Sequence, residues 1–308
     1  MHTSGAATSP SPISNDIGTW VGVDKPANQQ KASLNHGTFV QKSYLCAKMV
    51  STMFSSALSQ YLQKNQHSDF QLKAVFFDMD GVLYDSMKFH ANAWTNAMLE
   101  QGIPFTLTEA YMNEGRTGHS TIDGVFSREF GRIATEEEKQ NIYKLKTKHF
   151  ESYGNTEVMP FAAEVLEQVQ QQGLQISVVT GSAQTSLIDN LENHFPGKLD
   201  RRLMVTAYDV KLGKPFPEPY LKALKKSGLQ PWQVVVIENA PLGVESGVAA
   251  GLFTIAVNTG PLDPQVLAYS GADLVLPGGM QELNEIWPAF SELASQYSIK
   301  KQQIYEAT

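Results

Sequence analysis

The sequence predicts an α/β protein in which helices cover both faces of a parallel sheet. Short apolar runs typical of buried strands alternate with stretches whose apolar residues are spaced for one helix face. The strand-like runs are Lys73–Phe77, Gln175–Thr180, Val234–Glu238, Phe253–Val257 and Asp273–Leu276. The helical stretches between them cover residues 161–172, 183–193, 217–227 and 241–250. The chain of 308 residues can bury a core of this size, and its 42% of hydrophobic residues is ordinary for a globular protein.

One interval breaks the alternation of strands and helices. Residues 86–153 contain no good strand candidate but several helical stretches, such as Phe89–Leu99 and Glu136–Phe150. We expect a separate helical domain, inserted after the first strand and lying over its carboxyl end. Residues 71–85 and 154–300 then form the α/β core domain.

Residues 1–70 differ from the rest of the chain. They open with small and polar residues and lack a periodic apolar pattern, although residues 47–62 have the spacing of a short amphipathic helix. We expect a mostly disordered N-terminal extension. The alternative is upstream sequence translated from a misplaced start, since Met49 and Met53 follow.

Charge and cysteine content limit the possible partners and location. A net charge of −7 argues against binding to nucleic acid or to an anionic membrane. Cys46 is the only cysteine, which excludes an intramolecular disulfide and suits a reducing compartment. No run approaches the roughly 18 apolar residues of a membrane span, and the N-terminus does not resemble a secretory signal. We therefore expect a cytoplasmic protein.

Two carboxylates, Asp78 and Asp80, directly follow the first predicted strand. Residues i and i+2 of a strand point the same way, and Gly81 permits a turn, so both carboxylates can converge at the carboxyl edge of the sheet. One can attack phosphorus while the other transfers the proton of the leaving group. Acidic residues are also common where a strand passes into a turn, so this pair of aspartates alone does not decide the function.

Three further polar features follow at later strand ends. Thr180 and Ser182 offer hydroxyl and N–H groups to an anion, or are ordinary N-cap residues. Lys214, among prolines, is a point charge for a phosphoryl oxygen or a solvated surface lysine. Glu238 and Asn239 offer oxygen ligands that suit Mg²⁺, or Asn239 caps a helix.

In their order along the chain, these features resemble the motifs of the haloacid dehalogenase superfamily of phosphotransferases: Asp-x-Asp-Gly, then Ser or Thr, then Lys, then an acidic pair. The resemblance covers about residues 72–290. It implies a Rossmann-like core with a helical cap of the C1 type inserted after the first strand. It also implies that Asp78 forms an aspartyl-phosphate, while Asp80 protonates the leaving group and then activates water. The residues that it assigns to phosphoryl oxygens are Thr180, Ser182 and Lys214.

The cofactor that the resemblance implies is Mg²⁺. The expected metal ligands are Asp78, the backbone carbonyl of Asp80 and Asn239, with Glu238 close by or acting through water. Many members have Asp where this chain has Asn239. An amide keeps the oxygen ligand but removes a charge, so weaker metal binding is expected.

The first helix of the predicted cap resembles the β-phosphoglucomutase-like branch of the superfamily in Asp85, Ser86, His90 and Trp94. His90 lies 12 residues after Asp78 and can reach the substrate site as the cap closes, or it packs as an ordinary helix histidine. Trp94 is expected in the core of the cap.

The first cap loop argues against a mutase. Mutases of this branch have Lys-Gly-x-Ser-Arg there, and the Arg grips the distal phosphate of the sugar. Aligned on Gly115, this chain has Glu114 in place of the Lys and Gly118 in place of the Arg. A carboxylate repels a sugar phosphate unless a metal intervenes, and the missing Arg removes a bidentate contact.

The same loop, with residues 239–245 and 259–263, resembles the Bacteroides-type inorganic pyrophosphatases of this branch. That resemblance implies a catalytic role for Glu114 and makes Arg116 a candidate for binding the leaving phosphate. The alternatives are a solvated loop acid for Glu114 and a surface or paired arginine for Arg116.

The function that the sequence predicts is Mg²⁺-dependent hydrolysis of pyrophosphate through an aspartyl-phosphate. The alternatives are a β-phosphoglucomutase, a phosphatase of small sugar phosphates and a non-catalytic binding module, against which the intact pair of aspartates argues. The expected partner is a small phosphorylated substrate, without nucleic acid or membrane, and this architecture can act as a monomer.

Overall fold

A five-stranded parallel sheet forms the centre of the protein, in a computed structural model that describes residues 51–154, 156–183 and 185–298. A two-residue strand β1 (Asp69–Phe70) precedes it. The sheet strands are β2 (Ala74–Phe77), β3 (Gln175–Val178), β4 (Val234–Glu238), β5 (Phe253–Val257) and β6 (Leu274–Leu276). Their spatial order is β3-β2-β4-β5-β6, so the strand order reverses at β2. In open sheets of this kind, ligands bind outside the carboxyl ends of the strands at such a reversal.

Helices cover both faces of the sheet, as predicted. Alternate residues of β2 belong to different hydrophobic clusters, with Val75 and Phe77 on one face and Ala74 and Phe76 on the other. The helices of the core, with those of the cap numbered before them, are α6 (Ala162–Gln171), α7 (Thr185–His194), α8 (Glu218–Ser227), α9 (Pro241–Ala249), α10 (Pro264–Tyr269) and α11 (Gly279–Ala294). A short strand β7 (Tyr297–Ser298) pairs antiparallel with β1. Within the described residues, no helix is both long and apolar enough to cross a membrane.

Four helices between β2 and β3 form the cap. They are α2 (Met87–Glu100), α3 (Leu107–Met112), α4 (Gly118–Phe130) and α5 (Glu136–Ser152). Thr106 and Thr135 begin α3 and α5 with reciprocal capping boxes. Buried residues from these helices and their loops, among them Met98, Ile122 and Phe126, make a hydrophobic cluster separate from that of the sheet. The fold is thus a Rossmann-like core with an inserted helical cap, whereas the boundaries at residues 86 and 153 stay a prediction.

The helix at residues 51–64, α1, corrects the predicted extent of the N-terminal extension. Phe54, Leu58, Tyr61 and Leu62 on this helix are buried and belong to the main hydrophobic cluster. The sequence predicts disorder up to residue 70 because it does not show what this amphipathic segment packs against. Residues 1–50 lie outside the described part of the chain.

Candidate active site

Predicted site residues follow three neighbouring strands at the carboxyl edge of the sheet. Asp78 comes directly after β2, Thr180 lies two residues beyond β3, and Glu238 and Asn239 lie at the end of β4. Since β2 is flanked by β3 and β4, parallel strand ends bring these side chains together. They lie at the reversal of the strand order, where a ligand site is expected.

Lys214, from the loop before α8, links two of these carboxylates. Its Nζ lies 2.6 Å from Asp78 Oδ1, 2.5 Å from Glu238 Oε1 and 3.0 Å from the carbonyl oxygen of Val179. Burial lowers the pKa of Lys214, but the negative charges of Asp78 and Glu238 outweigh the effect of burial and raise the pKa above its usual value. Burial raises the pKa of Asp78 as well, and the carboxylates of Glu238 and Asp80 add to that rise. These carboxylates therefore carry more negative charge than the single ammonium of Lys214 neutralises.

Asp80 is held by Ser86, which directly precedes α2, and by His90 on that helix. Ser86 Oγ donates to Asp80 Oδ1 at 2.6 Å, and His90 Nε2 lies 2.9 Å from the same oxygen. Lys146 Nζ lies 2.8 Å from His90 Nδ1. Because an ammonium only donates, Nδ1 accepts from Lys146 and Nε2 carries the proton that is donated to Asp80. Burial opposes ionisation of Asp80, but His90 and Ser86 outweigh it and lower its pKa.

Glu114 enters the site from the loop between α3 and α4. Its side chain is buried, and Asn239 Nδ2 donates to Glu114 Oε1 at 3.0 Å. Burial, and after it the charge of Asp78, raises the pKa of Glu114 well above its usual range. The cap loop that carries Glu114 thus closes directly onto the core.

A cavity of about 60 Å³ lies between the cap and the core. The predicted residues that line it are Asp78, Asp80, His90, Glu114, Arg116, Thr180 and Ser182. Arg116 Nη1 donates to Ser120 Oγ at 3.3 Å, while its Nε is buried without a hydrogen-bond partner. Thr180 Oγ1 accepts from the backbone N–H of Ser182 at 2.9 Å. The structure therefore brings the predicted site residues together, and their individual roles stay predictions.

Several cavity residues from the cap are not among those predicted to form the site. Lys146 and Tyr143 come from α5, and Trp94, expected in the core of the cap, lines the cavity from α2. The Nζ of Lys146 lies 5.8 Å from the centre of the Trp94 ring. A signal for Lys146 exists in the sequence, because Ile142 and Phe150 lie four residues to either side and both are buried. A lysine on the apolar stripe of a helix must find a polar partner inside the protein.

A hard cation fits the residues at this edge of the sheet. The Oδ1 atom of Asn239 is buried without a hydrogen-bond partner, and it lies in a site crowded with carboxylates. Among the described residues, no three His, Cys, Asp or Glu side chains form a metal site, and an amide or a backbone oxygen can complete a set of oxygen ligands. The Asp78 carboxylate, the Asp80 carbonyl and Asn239 Oδ1 are such a set, and Mg²⁺ takes few protein oxygens.

Glu238, predicted to lie close to the metal or to act through water, has protein donors on its side chain, and its role toward the metal stays a prediction. Its Oε1 accepts from Lys214 Nζ at 2.5 Å and from Tyr220 Oη at 2.8 Å. Its Oε2 accepts from the backbone N–H groups of Asn239 and Ala240, at 3.0 and 3.3 Å. Both oxygens are thus engaged by protein donors.

Comparison with known proteins agrees with this geometry. Residues 75–257 match the family of haloacid dehalogenase-like hydrolases. The chain is 31% identical to hexitol phosphatase A of Escherichia coli over 66% of its length and 90% of that protein. It is 27% identical to β-phosphoglucomutase of Bacillus subtilis, over 67% of its length and 89% of that protein. A solved structure from Bacteroides vulgatus, provisionally assigned as a β-phosphoglucomutase, is 51% identical with a TM-score of 0.77 and covers 80% of this chain and 100% of its own. The chain belongs to the haloacid dehalogenase-like hydrolases, in their β-phosphoglucomutase-like branch, and is a hydrolase of the phosphatase type.

Proposed function

We propose that this phosphatase hydrolyses inorganic pyrophosphate. The observation that carries the proposal is the position of Glu114, whose buried carboxylate lines a cavity of only about 60 Å³ and accepts a hydrogen bond from Asn239 of the core. Pockets for ordinary organic ligands measure roughly 300–1,000 Å³. A substrate without an organic group suits so small a space.

The region around Gly118 supports a small substrate. This residue stands where the resemblance places the phosphate-gripping Arg of the mutases, and a Cβ here would lie 2.3 Å from the Tyr143 ring. The Tyr143 ring thus occupies the space into which a longer side chain would extend. A sugar bisphosphate would therefore find neither the arginine that binds its distal phosphate in the mutases nor room for that phosphate.

In the proposed reaction, an Asp78 oxygen attacks one phosphorus of pyrophosphate, and the bond to the bridging oxygen breaks. Asp80 takes up a proton when substrate binds and gives it to the departing phosphate. Asp80 then takes a proton from water, which cleaves the acyl phosphate and restores the Asp78 carboxylate. Arg116 binds the leaving phosphate, while Thr180, Ser182 and Lys214 bind oxygens of the phosphoryl group that is transferred.

Mg²⁺ would be held by Asp78, the Asp80 carbonyl and Asn239. When bound, it supplies positive charge that offsets the carboxylates and the phosphoryl oxygens. Glu114 faces the same space from the cap, which allows it to favour a substrate that carries its own metal ion over a bare anion.

The second candidate is a phosphatase of small sugar phosphates. The names of the relatives favour it over pyrophosphate, since they include a hexitol phosphatase and, from Thermotoga maritima, a phosphatase of phosphorylated carbohydrates. A β-phosphoglucomutase is a third candidate, on the names of the Bacillus subtilis relative and the Bacteroides vulgatus structure. The substrates of both of these candidates are larger than pyrophosphate, so the cap must open further for them than it does in this structure.

A substrate panel tests the choice. Phosphate release is measured with Mg²⁺ from pyrophosphate, from glucose 6-phosphate and from a hexitol phosphate, beside isomerisation of β-glucose 1-phosphate. We expect the highest kcat/KM with pyrophosphate, loss of activity in Asp78→Asn and an unchanged rate in Asp189→Asn, a carboxylate in an exposed ion pair. Faster release from a sugar phosphate would replace the first candidate by the second, and efficient isomerisation would replace it by the third.

We also propose a cytoplasmic enzyme that acts as a monomer. A single cysteine in the whole chain suits a reducing compartment. The cavity is lined by cap and core residues of one chain, which supports a site that does not need a second copy.

A further inference from the structure

The Glu238 carboxylate makes four hydrogen bonds, two on each oxygen. Lys214 and Tyr220 donate to one oxygen, and the first two N–H groups after Glu238 donate to the other. These bonds use the lone pairs of both oxygens. The side chain is also enclosed, because a Cβ on Gly243 would come within 2.0 Å of it.

Tyr220 contacts both members of the pair formed by Glu238 and Lys214. It is fully buried on α8, and its hydroxyl donates to Glu238 Oε1 at 2.8 Å. The Nζ of Lys214 lies 5.3 Å from the centre of its ring, within cation–π distance. Tyr220 is fully buried and does not line the cavity, so we treat it as acting through its two partners.

The position of Lys214 depends on this arrangement. Its ammonium is shared between Asp78 Oδ1 and Glu238 Oε1, so a change at Glu238 moves the ammonium relative to Asp78. Without the tyrosine hydroxyl, Oε1 keeps only the lysine as a partner and draws it away from Asp78. A small displacement of a charged group in a reacting site lowers the rate strongly.

We propose that Tyr220 is a positioning residue that acts through Glu238 to hold the Lys214 ammonium against Asp78. Glu238 is, by this inference, an anchor for the lysine and not a ligand of the metal. The inference rests on the proposed role of Asp78 as the nucleophile. It does not depend on the leaving group, so it holds for pyrophosphate and for a sugar phosphate alike.

Tyr220→Phe removes the hydroxyl and keeps the ring. The matched control is Tyr61→Phe, which removes a hydroxyl that donates at 2.8 Å to the carbonyl of Gly251, away from the cavity. With the best substrate of the panel, we expect kcat to fall about tenfold in Tyr220→Phe, with KM changed by less than about twofold. Tyr61→Phe should lose thermal stability but keep its kcat. An unchanged kcat in Tyr220→Phe, or an equal loss in both variants, would overturn the proposal.

Binding of Mg²⁺ without substrate, followed by calorimetry, separates an anchor from a metal ligand. We expect Tyr220→Phe and Glu238→Gln to bind Mg²⁺ with an affinity within about threefold of the parent protein. A loss of affinity of about tenfold or more in Glu238→Gln would overturn the proposal, even if Tyr220→Phe fails to fold.

The double variant tests the route from Tyr220 to Lys214. If Tyr220 acts through Glu238, adding Tyr220→Phe to Glu238→Gln should lower kcat by less than about twofold further. Full multiplication of the two losses would contradict the route. Full activity in Asp78→Asn would instead refute the proposed function, so the two failures are distinguishable.

Discussion

The Tyr143 side chain sets the size of the cavity from the cap side. Its ring lies over Gly118, and burial raises the pKa of its hydroxyl to about 12, so that it stays protonated near neutral pH. A smaller side chain at position 143 would leave the Gly118 side of the cavity open. We therefore expect substrate selection to depend on Tyr143, which takes no part in the proposed chemistry.

Tyr143→Ala should relax the preference for small substrates. We expect the ratio of kcat/KM for a hexitol phosphate to that for pyrophosphate to rise about tenfold or more, because the larger leaving group gains room. Steady-state kinetics with both substrates measures this ratio, and Tyr143→Phe, which keeps the ring, is the control. An unchanged ratio in Tyr143→Ala would mean that the ring does not limit the substrate.

Single residues differ in how well the sequence predicts their position in the structure. Asp78 and Asp80 are predictable because strand ends and a spacing of two residues decide where they point. Tyr220 is not, because its hydroxyl meets Glu238 only through the packing of α8 on β4. A tyrosine directly after Pro219 has no local pattern that distinguishes a bond to a buried carboxylate from ordinary core packing.

At the scale of elements, α1 behaves as part of the core. Phe54 is fully buried and packs edge-on against Phe290, with ring centres 5.3 Å apart. Phe54→Ala should lower the free energy of unfolding by about 3–5 kcal/mol. On the same helix Met53 is 41% exposed, and Met53→Ala should change the free energy of unfolding by less than about 0.5 kcal/mol. Urea denaturation measures both, and equal effects would mean that α1 is not part of the folded unit.

Asp273 connects β6 to β5 and makes stability depend on pH. Its Oδ2 accepts from the backbone N–H of Thr254 at 2.8 Å, and burial raises its pKa to about 6. Between about pH 4 and pH 6 the folded chain binds this proton more tightly than the unfolded chain, so the stabilisation present at low pH is lost as pH rises.

Asp273→Asn keeps an acceptor for Thr254 and removes the charge. We expect the variant to be more stable than the parent protein near pH 7, by about 1–3 kcal/mol, and equally stable near pH 4. Thermal unfolding of both proteins across this range measures the difference. A variant that is less stable near pH 7 would show that the ionised carboxylate is favourable where it stands.

The elements of the sheet are foretold better than those outside it. Each of the five predicted strands is present, although the run Gln175–Thr180 ends as a strand at Val178. Their buried apolar runs carry a signal that does not depend on distant partners. The pairing of β1 with β7 joins residues more than 200 positions apart, and two residues at each end have no pattern of their own.

At the scale of the whole molecule, cap and core meet through glycines. A Cβ on Gly181 would lie 2.1 Å from the carbonyl oxygen of Gly115, and one on Gly213 would lie 2.7 Å from the side chain of Thr117. The backbones of the two domains therefore come close together at both of these glycines. Most buried apolar residues of the cap form a cluster of their own, although Ala93 and Phe150 join the main cluster, so we expect this contact to contribute to closure more than to folding.

Gly181→Ala should keep the cap from closing without unfolding either domain. The new methyl group would meet the rigid backbone of the cap loop, which cannot turn aside as a side chain can. We expect kcat/KM for pyrophosphate to fall about a hundredfold, because Glu114 and Arg116 no longer reach the substrate. Gly124→Ala is the matched control, because a Cβ on Gly124 of α4 meets no atom within 4 Å. It should stabilise the helix by about 0.5–1 kcal/mol and leave turnover unchanged. Equal kinetics in the two glycine variants would mean that the closed arrangement of cap and core is not the one in which the reaction takes place.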